Sequence, residues 1–339
     1  MNKFNRLIAQ ASYLFTSTKS VADIKSKYNY LRSSTTLLSP LVVEGDRSDR
    51  IRSRLNNSFR NPIVTYEIDK DQEVRLYALT NLDLKEKIRT KNTNIWIITH
   101  GFADGFDQDF IDVAEQVKKY YPNDVVLGLD WSLIANGLSP ALSVDVHRSA
   151  TWIKPISEVV FERLLLWGLN SNVELKTIGH SLGSLLCSEI ALRYKEKFNK
   201  CIPQLIALDP PSEITAKLYK QSRFLVQANP AIERVSSFAE IAEDSLALVG
   251  YNSIAGNHSL ASSADRSYLV KFNDVREIRN GHFWVVRGFE QFLRDVNIID
   301  NISKFNQYLN ENSLILNTSE KNKEFTAIIN LPDKKWFEG

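Results

Sequence analysis

Cysteine is nearly absent from this chain: its 339 residues include only Cys187 and Cys201. A secreted domain stapled by disulfides carries more, so that class is set aside. Cys187 stands in an apolar helical stretch and reads as a small buried hydrophobe. An excess of charge of one sign is missing as well. The formal net charge is +2, and no Lys/Arg run is interleaved with aromatics, which argues against a nucleic-acid partner. No apolar run approaches the about 18 residues that cross a bilayer, and Leu164 to Leu169 falls far short. Near the start, the apolar stretch from Leu7 to Phe15 is broken by Gln10 and Ser12 and makes a poor export segment. A cytoplasmic location is therefore expected, with export by a non-cleaved route as the alternative. The five histidines show no H-E-x-x-H spacing, and neither a metal nor an organic cofactor is expected. No internal repeat or low-complexity tract is visible.

What is present describes a globular α/β protein. Apolar residues make up 43% and charged residues 24%, and the length suits one large α/β domain or two ordinary ones. Residues 1–60 read as an N-terminal extension, with amphipathic helix over 7–30 and a Ser-, Arg- and Asn-rich linker or wrapping loop after it. Residues 61–300 hold the main domain, and 301–339 form a C-terminal extension. Within the domain, the run Ile63 to Ile68 and the run Val74 to Leu79 predict a hairpin. Four β-rich runs predict strands buried on both faces: 95–99, 125–129, 173–178 and 205–208. Stretches 110–120, 152–167, 182–198 and 283–296 are helical by spacing. Further strands are predicted at 234–239, 268–272 and 325–331. Strands alternating with helices imply a mainly parallel central sheet with helices on both faces. Residues 212–263 are read as lid and pocket wall, where Leu246-Ala247-Leu248-Val249 fits a lid strip or a core helix equally well.

In such sheets chemistry collects at the carboxyl ends of the strands. The third buried run leads into Gly179-His180-Ser181-Leu182-Gly183, and a helix follows. That is G-x-S-x-G between strand and helix, where a sharp turn presents a serine and only small residues fit two positions either side. Ser181 is the candidate nucleophile. Leu182, the next residue, offers one backbone N–H to a developing oxyanion. Phe102, after the first buried run in His100-Gly101-Phe102, offers the second. The fourth run ends at Asp209-Pro210-Pro211, and the prolines stop the strand with Asp209 at its end. Asp209 is the candidate acid, against Glu240, Glu243 and Asp244 further on; the plain alternative for Asp209 is a turn cap. Two histidines follow it. His282 opens the last strong helix after the strand at 268–272, and topology favours it as the base. His258 precedes that strand and is the alternative. His100 and His180 read as hydrogen-bonding residues of their loops, and His147 is out of chain order.

These motifs resemble the pancreatic-lipase family of α/β hydrolases. The likeness covers residues 93–211 and rests on Ile97-Ile98-Thr99-His100-Gly101-Phe102, Leu129-Asp130-Trp131, Ile178-Gly179-His180-Ser181-Leu182-Gly183 and Ala207-Leu208-Asp209-Pro210. The resemblance implies the α/β-hydrolase fold, an acid at Asp209, and oxyanion donors at Phe102 and Leu182. It departs in the missing disulfides, in the lack of room for a C-terminal lipid-binding β-sandwich, and around the histidine. The family's Asn-His pair before Arg-Ser-Tyr occurs here as Asn257-His258 and Arg266-Ser267-Tyr268, separated, so both histidines stay open. The expected activity is a serine carboxylic-ester hydrolase of lipase or phospholipase type. Its expected partners are a lipid or small ester and, transiently, a lipid surface. A non-catalytic lipid-binding protein and an acyltransferase with the same triad are the alternatives.

Overall fold

Continuous runs of Ile, Leu and Val have no polar face to give to water, so they form strands covered on both sides. The computed structural model describes residues 64–69, 72–79, 93–102, 104–135, 149–150, 152–211, 237–251, 253, 256, 258–272, 281–315 and 325–331. Its strands are β1 (Val64–Asp69), β2 (Gln72–Ala78), β3 (Ile95–Thr99), β4 (Val125–Asp130), β5 (Leu175–His180), β6 (Ile202–Leu208), β7 (Ala242–Gly250), β8 (Arg266–Phe272) and β9 (Ala327–Leu331). They form one nine-stranded sheet in the order β1-β2-β4-β3-β5-β6-β7-β8-β9. The β1–β2 hairpin is antiparallel, β2 runs antiparallel to β4, and all later pairings are parallel. The chain has the α/β-hydrolase fold.

Register decides where the strands end. Thr99 pairs with Gly179, His180 with Leu208, and Leu208 with Leu248. The exits of β3, β5, β6 and β7 therefore stand side by side at one edge.

The helices are α1 (Gln108–Tyr120), α2 (Ser132–Ala135), α3 (Ile153–Trp167), α4 (Leu182–Phe198), α5 (His258–Ala261), α6 (Gly281–Val296) and α7 (Ile302–Glu311). Strand alternation divides the core in two. Ile95 and Ile97 of β3 join α3 and α4 in one cluster, while Trp96 and Ile98 join α1, α6 and α7 in the other. In α6 the buried residues Val285, Val286, Phe289, Phe292 and Leu293 recur at helical spacing, with Phe283 and Arg287 on the outside. No helix among the described residues is long and apolar enough to cross a membrane.

The structure corrects the reading between β6 and β8. No strand runs through Ser237–Ala239, which is irregular, and residues 234–236 lie outside the described residues. The strand is β7, and the strip Leu246-Ala247-Leu248-Val249 is its middle, neither lid nor helix. Leu246 and Leu248 enter one core and Ala247 and Val249 the other. A strand buried on both faces has no polar period to distinguish it from a buried helix. Cys187 is buried, Cys201 is partly buried, and both are free thiols. The extension at 1–60 and the lid stretch 212–236 lie outside the described residues.

Phe289 ties α6 to the sheet. Phe289→Ala should cost about 3–5 kcal/mol of stability, as large-to-small core changes do. Chemical denaturation of the two proteins measures the difference.

Candidate active site

The turn from β5 to α4 is sterically demanding. Ser181 takes φ 52° and ψ −126°, which an L-residue adopts only under constraint. The constraint comes from both sides. Its N–H donates to the Leu208 carbonyl at 2.8 Å, and its own carbonyl accepts from the Ser184 N–H at 3.0 Å and hydroxyl at 2.6 Å. A side chain at Gly179 would put a Cβ 2.4 Å from the Gly183 carbonyl oxygen. One at Gly183 would sit 2.4 Å from the His100 carbonyl oxygen. The two glycines thus let α4 approach β5 and the exit of β3 closely enough to lift the serine out of the sheet.

The β3 exit comes from the other side. A Cβ on Gly101 would lie 2.6 Å from the Cβ of Ser181, so this loop touches the serine. It is clamped by His100 and Asp130, both fully buried, with Nε2 3.0 Å from Oδ1. Burial works against charge on His100, but the Asp130 carboxylate outweighs it and holds the imidazole above its ordinary range; the same pairing, against burial, holds Asp130 low. Nδ1 of His100 faces the Gly101 carbonyl at 2.8 Å, and the Trp131 indole N–H donates to the His100 carbonyl at 2.9 Å. Phe102 leaves this clamp half-buried, and Leu182, buried, opens α4. The first N–H groups of a helix have no partner within it, so that of Leu182 is free of the helical ladder.

Asp209 leaves β6 at φ 45° and is wholly buried. Its carboxylate meets three donors. Gly250 N–H donates to Oδ1 at 2.9 Å, Ser253 hydroxyl donates to Oδ2 at 2.5 Å, and Oδ2 also bonds Nδ1 of His282. Because a carboxylate accepts only, Nδ1 carries the proton and Nε2 keeps its lone pair. Burial lowers the proton affinity of His282, the nearby His180 lowers it further, and Asp209 raises it; the net shift is down.

Of the sequence-derived candidates, the structure brings Ser181, Leu182, Phe102, Asp209 and His282 to this edge. Asp244 stands at the opposite end of β7, accepting from Gln204 at 2.9 Å and pairing with Arg266 at 2.6 Å. Glu240 and Glu243 are exposed near that same end. His258 opens α5, and its side chain lies outside the described residues, as does His147. Before α5 the chain crosses the site: Gly256 bridges to Pro211, and a Cβ on it would lie 2.7 Å from Asp209 Oδ1. Ser253 and Gly250 escaped the sequence reading because the end of β7 did. A Gly-x-x-Ser at a strand exit is the only signal there was.

The chain matches no protein-family model and no curated protein. Among solved structures it is similar to Est1E from Butyrivibrio proteoclasticus, at 12% identity and TM-score 0.43, over 69% of this chain and 98% of that one. It is similar to alpha/beta hydrolase domain-containing protein 10 from mouse, at 11% identity and TM-score 0.41, over 71% and 99%. A Pyrobaculum calidifontis esterase gives 11% and 0.40, over 88% and 99%. Likenesses this distant carry no argument about chemistry, which rests on the site.

Gly183→Ala tests the close packing of the elbow. Its Cβ forces backbone against backbone, and overpacking of this kind costs about 1–3 kcal/mol. A melting temperature equal to that of the unchanged protein would contradict the geometry.

Proposed function

We propose that the chain is a serine hydrolase of carboxylic esters, with a lipase- or phospholipase-like substrate class. One observation carries the reading: the buried Asp209–His282 pair stands at the same sheet edge as the strained Ser181, each supplied by a different segment. The motifs shared with the pancreatic-lipase family support the lipid-like substrate. So does Phe283, 41% exposed beside His282, which offers an apolar lip to an acyl chain.

In this mechanism Ser181 Oγ attacks the ester carbonyl while Nε2 of His282 takes its proton. The N–H groups of Phe102 and Leu182 hold the oxyanion, helped by the positive end of α4. Asp209 keeps the imidazole in the tautomer that leaves Nε2 free and stabilises its charged form. Gly250 and Ser253 hold Asp209 in place. His282 returns the proton to the leaving alcohol, and water then releases the acyl group by the same steps in reverse.

The first test is covalent labelling by a fluorophosphonate together with turnover of a soluble ester. Ser181→Ala should lose labelling and at least about a thousandfold in turnover. His282→Ala should match it, and His258→Ala should remain near the unchanged protein; the opposite ranking makes His258 the base. Asp209→Asn should lower turnover strongly, since the amide cannot stabilise the imidazolium.

The pH profile gives a separate check. The base must be unprotonated, and burial with the neighbouring His180 lowers its proton affinity. Activity should therefore persist into acid below the ordinary histidine range near 6.5 and fall only as pH drops through the lowered value. An acid limb above 6.5 would contradict this assignment.

A further inference from the structure

One side chain at the site has no task in the mechanism above. His180, the residue before the serine, is only 1% exposed at its side chain. Its Nε2 lies 2.9 Å from the backbone carbonyl oxygen of His282. A carbonyl accepts only, so Nε2 carries hydrogen and donates. The two imidazole centroids are 4.4 Å apart. Phe110 of α1 and Phe283 of α6 close over the His180 ring at 6.0 and 5.7 Å. Nδ1 has no hydrogen-bond partner among the described residues; Asp104 Oδ2 stands 3.7 Å away, beyond hydrogen-bond reach but near enough for charge.

We propose that His180 is a positioning residue, tying the turn that carries Ser181 to the first turn of α6 and setting its imidazole, tilted, against that of His282. The proposal rests on the serine-hydrolase reading. The bond spans 102 residues of sequence and ends on the carbonyl of the same residue whose ring takes the proton. It therefore fixes the backbone from which that ring projects, while Asp209 fixes the ring itself. Without it, the ring of His282 is anchored to the exit of β6 but not to the turn of Ser181.

The neighbouring ring also bears on His282, whose proton affinity it lowers. Two imidazoles this close disfavour a second proton. The charged groups facing the pair are Asp209 from β6, bonded to His282, and Asp104 from the loop before α1, facing His180, with Asp107 beside Asp104. Removing the His180 imidazole removes its share of the opposition to a proton on His282. The acid limb then moves to higher pH.

The experiment follows the rate of fluorophosphonate labelling of Ser181 in the full chain from about pH 5 to about pH 9, the range in which histidine titrates. His180→Phe keeps an aromatic ring but loses the donor and the basic nitrogen. His180→Gln keeps an N–H donor without the basic nitrogen. The phenylalanine variant should label at least about tenfold more slowly at its plateau, and the glutamine variant within about threefold of the unchanged protein, since base positioning alone is at stake. Both acid limbs should move to higher pH while the melting temperatures hold, because loosened packing would also raise the limb by hydrating His282. If the phenylalanine variant unfolds on melting, the glutamine variant still decides through its limb. Unmoved limbs, or a phenylalanine variant as fast as the unchanged protein, overturn the proposal. Failure of the unchanged protein to label at all overturns the serine-hydrolase reading instead, and the positioning role with it.

Discussion

Everything at this edge depends on how closely α4 can approach the strands before it. The helix starts one residue after Ser181 and passes so near β5 and the β3 exit that Gly183 has the Gly179 backbone on one side and the His100 carbonyl on the other. That contact is backbone on backbone, and no side chain can yield to relieve it. The strained Ser181 backbone, the touch of Gly101 on Ser181 and the placement of the Leu182 N–H all follow from it. The cost of a positive φ at a serine is of order 1–3 kcal/mol, sustained only because the surrounding structure leaves no alternative.

The two carboxylate–histidine pairs of the site use one arrangement for opposite ends. At His100 the pair is sealed, the imidazole faces Asp130 on one side and a carbonyl on the other, and the charged form is favoured. That pair is mortar for a loop. At His282, Asp209 holds Nδ1, a second imidazole stands beside the ring, and burial lowers the proton affinity. That pair is suited to exchange a proton. Both are buried aspartates beside histidines, and their surroundings separate them: a carbonyl on Nδ1 of His100, a second imidazole beside His282.

The sequence announced those parts of the site that are local. Gly179 to Gly183 could be read because strand, turn and helix sit within a few residues, and the steric need for glycine is independent of the rest of the fold. Asp209 could be read because Pro210 and Pro211 mark the end of its strand. His282 was reachable through the order of strand and helix alone. The supports of Asp209 were hidden, because Gly250 and Ser253 belong to the exit of β7. That strand carries no alternation, and the irregular Phe238 turn before it had been read as strand. The crossing of Gly256 beside Asp209 was hidden for a simpler reason: it depends on a long-range bridge to Pro211, and no short-range pattern encodes such a bridge.

The parallel ladder has a consequence for how this molecule comes together. Every pairing from β3 onward joins strands separated by a helix or a long excursion, and β8 meets β9 with Tyr268 against Ala327. Such non-local closure is slow compared with helix or hairpin formation. Ser181 and Asp209 come from adjacent strands and can meet early. His282 stands on α6, which packs on β7 and also on α1 from the front of the domain. A partly assembled sheet would hold the strained serine without its histidine. On the proposed function, reactivity at Ser181 would read out finished assembly, appearing last and vanishing first when the far side of the sheet loosens.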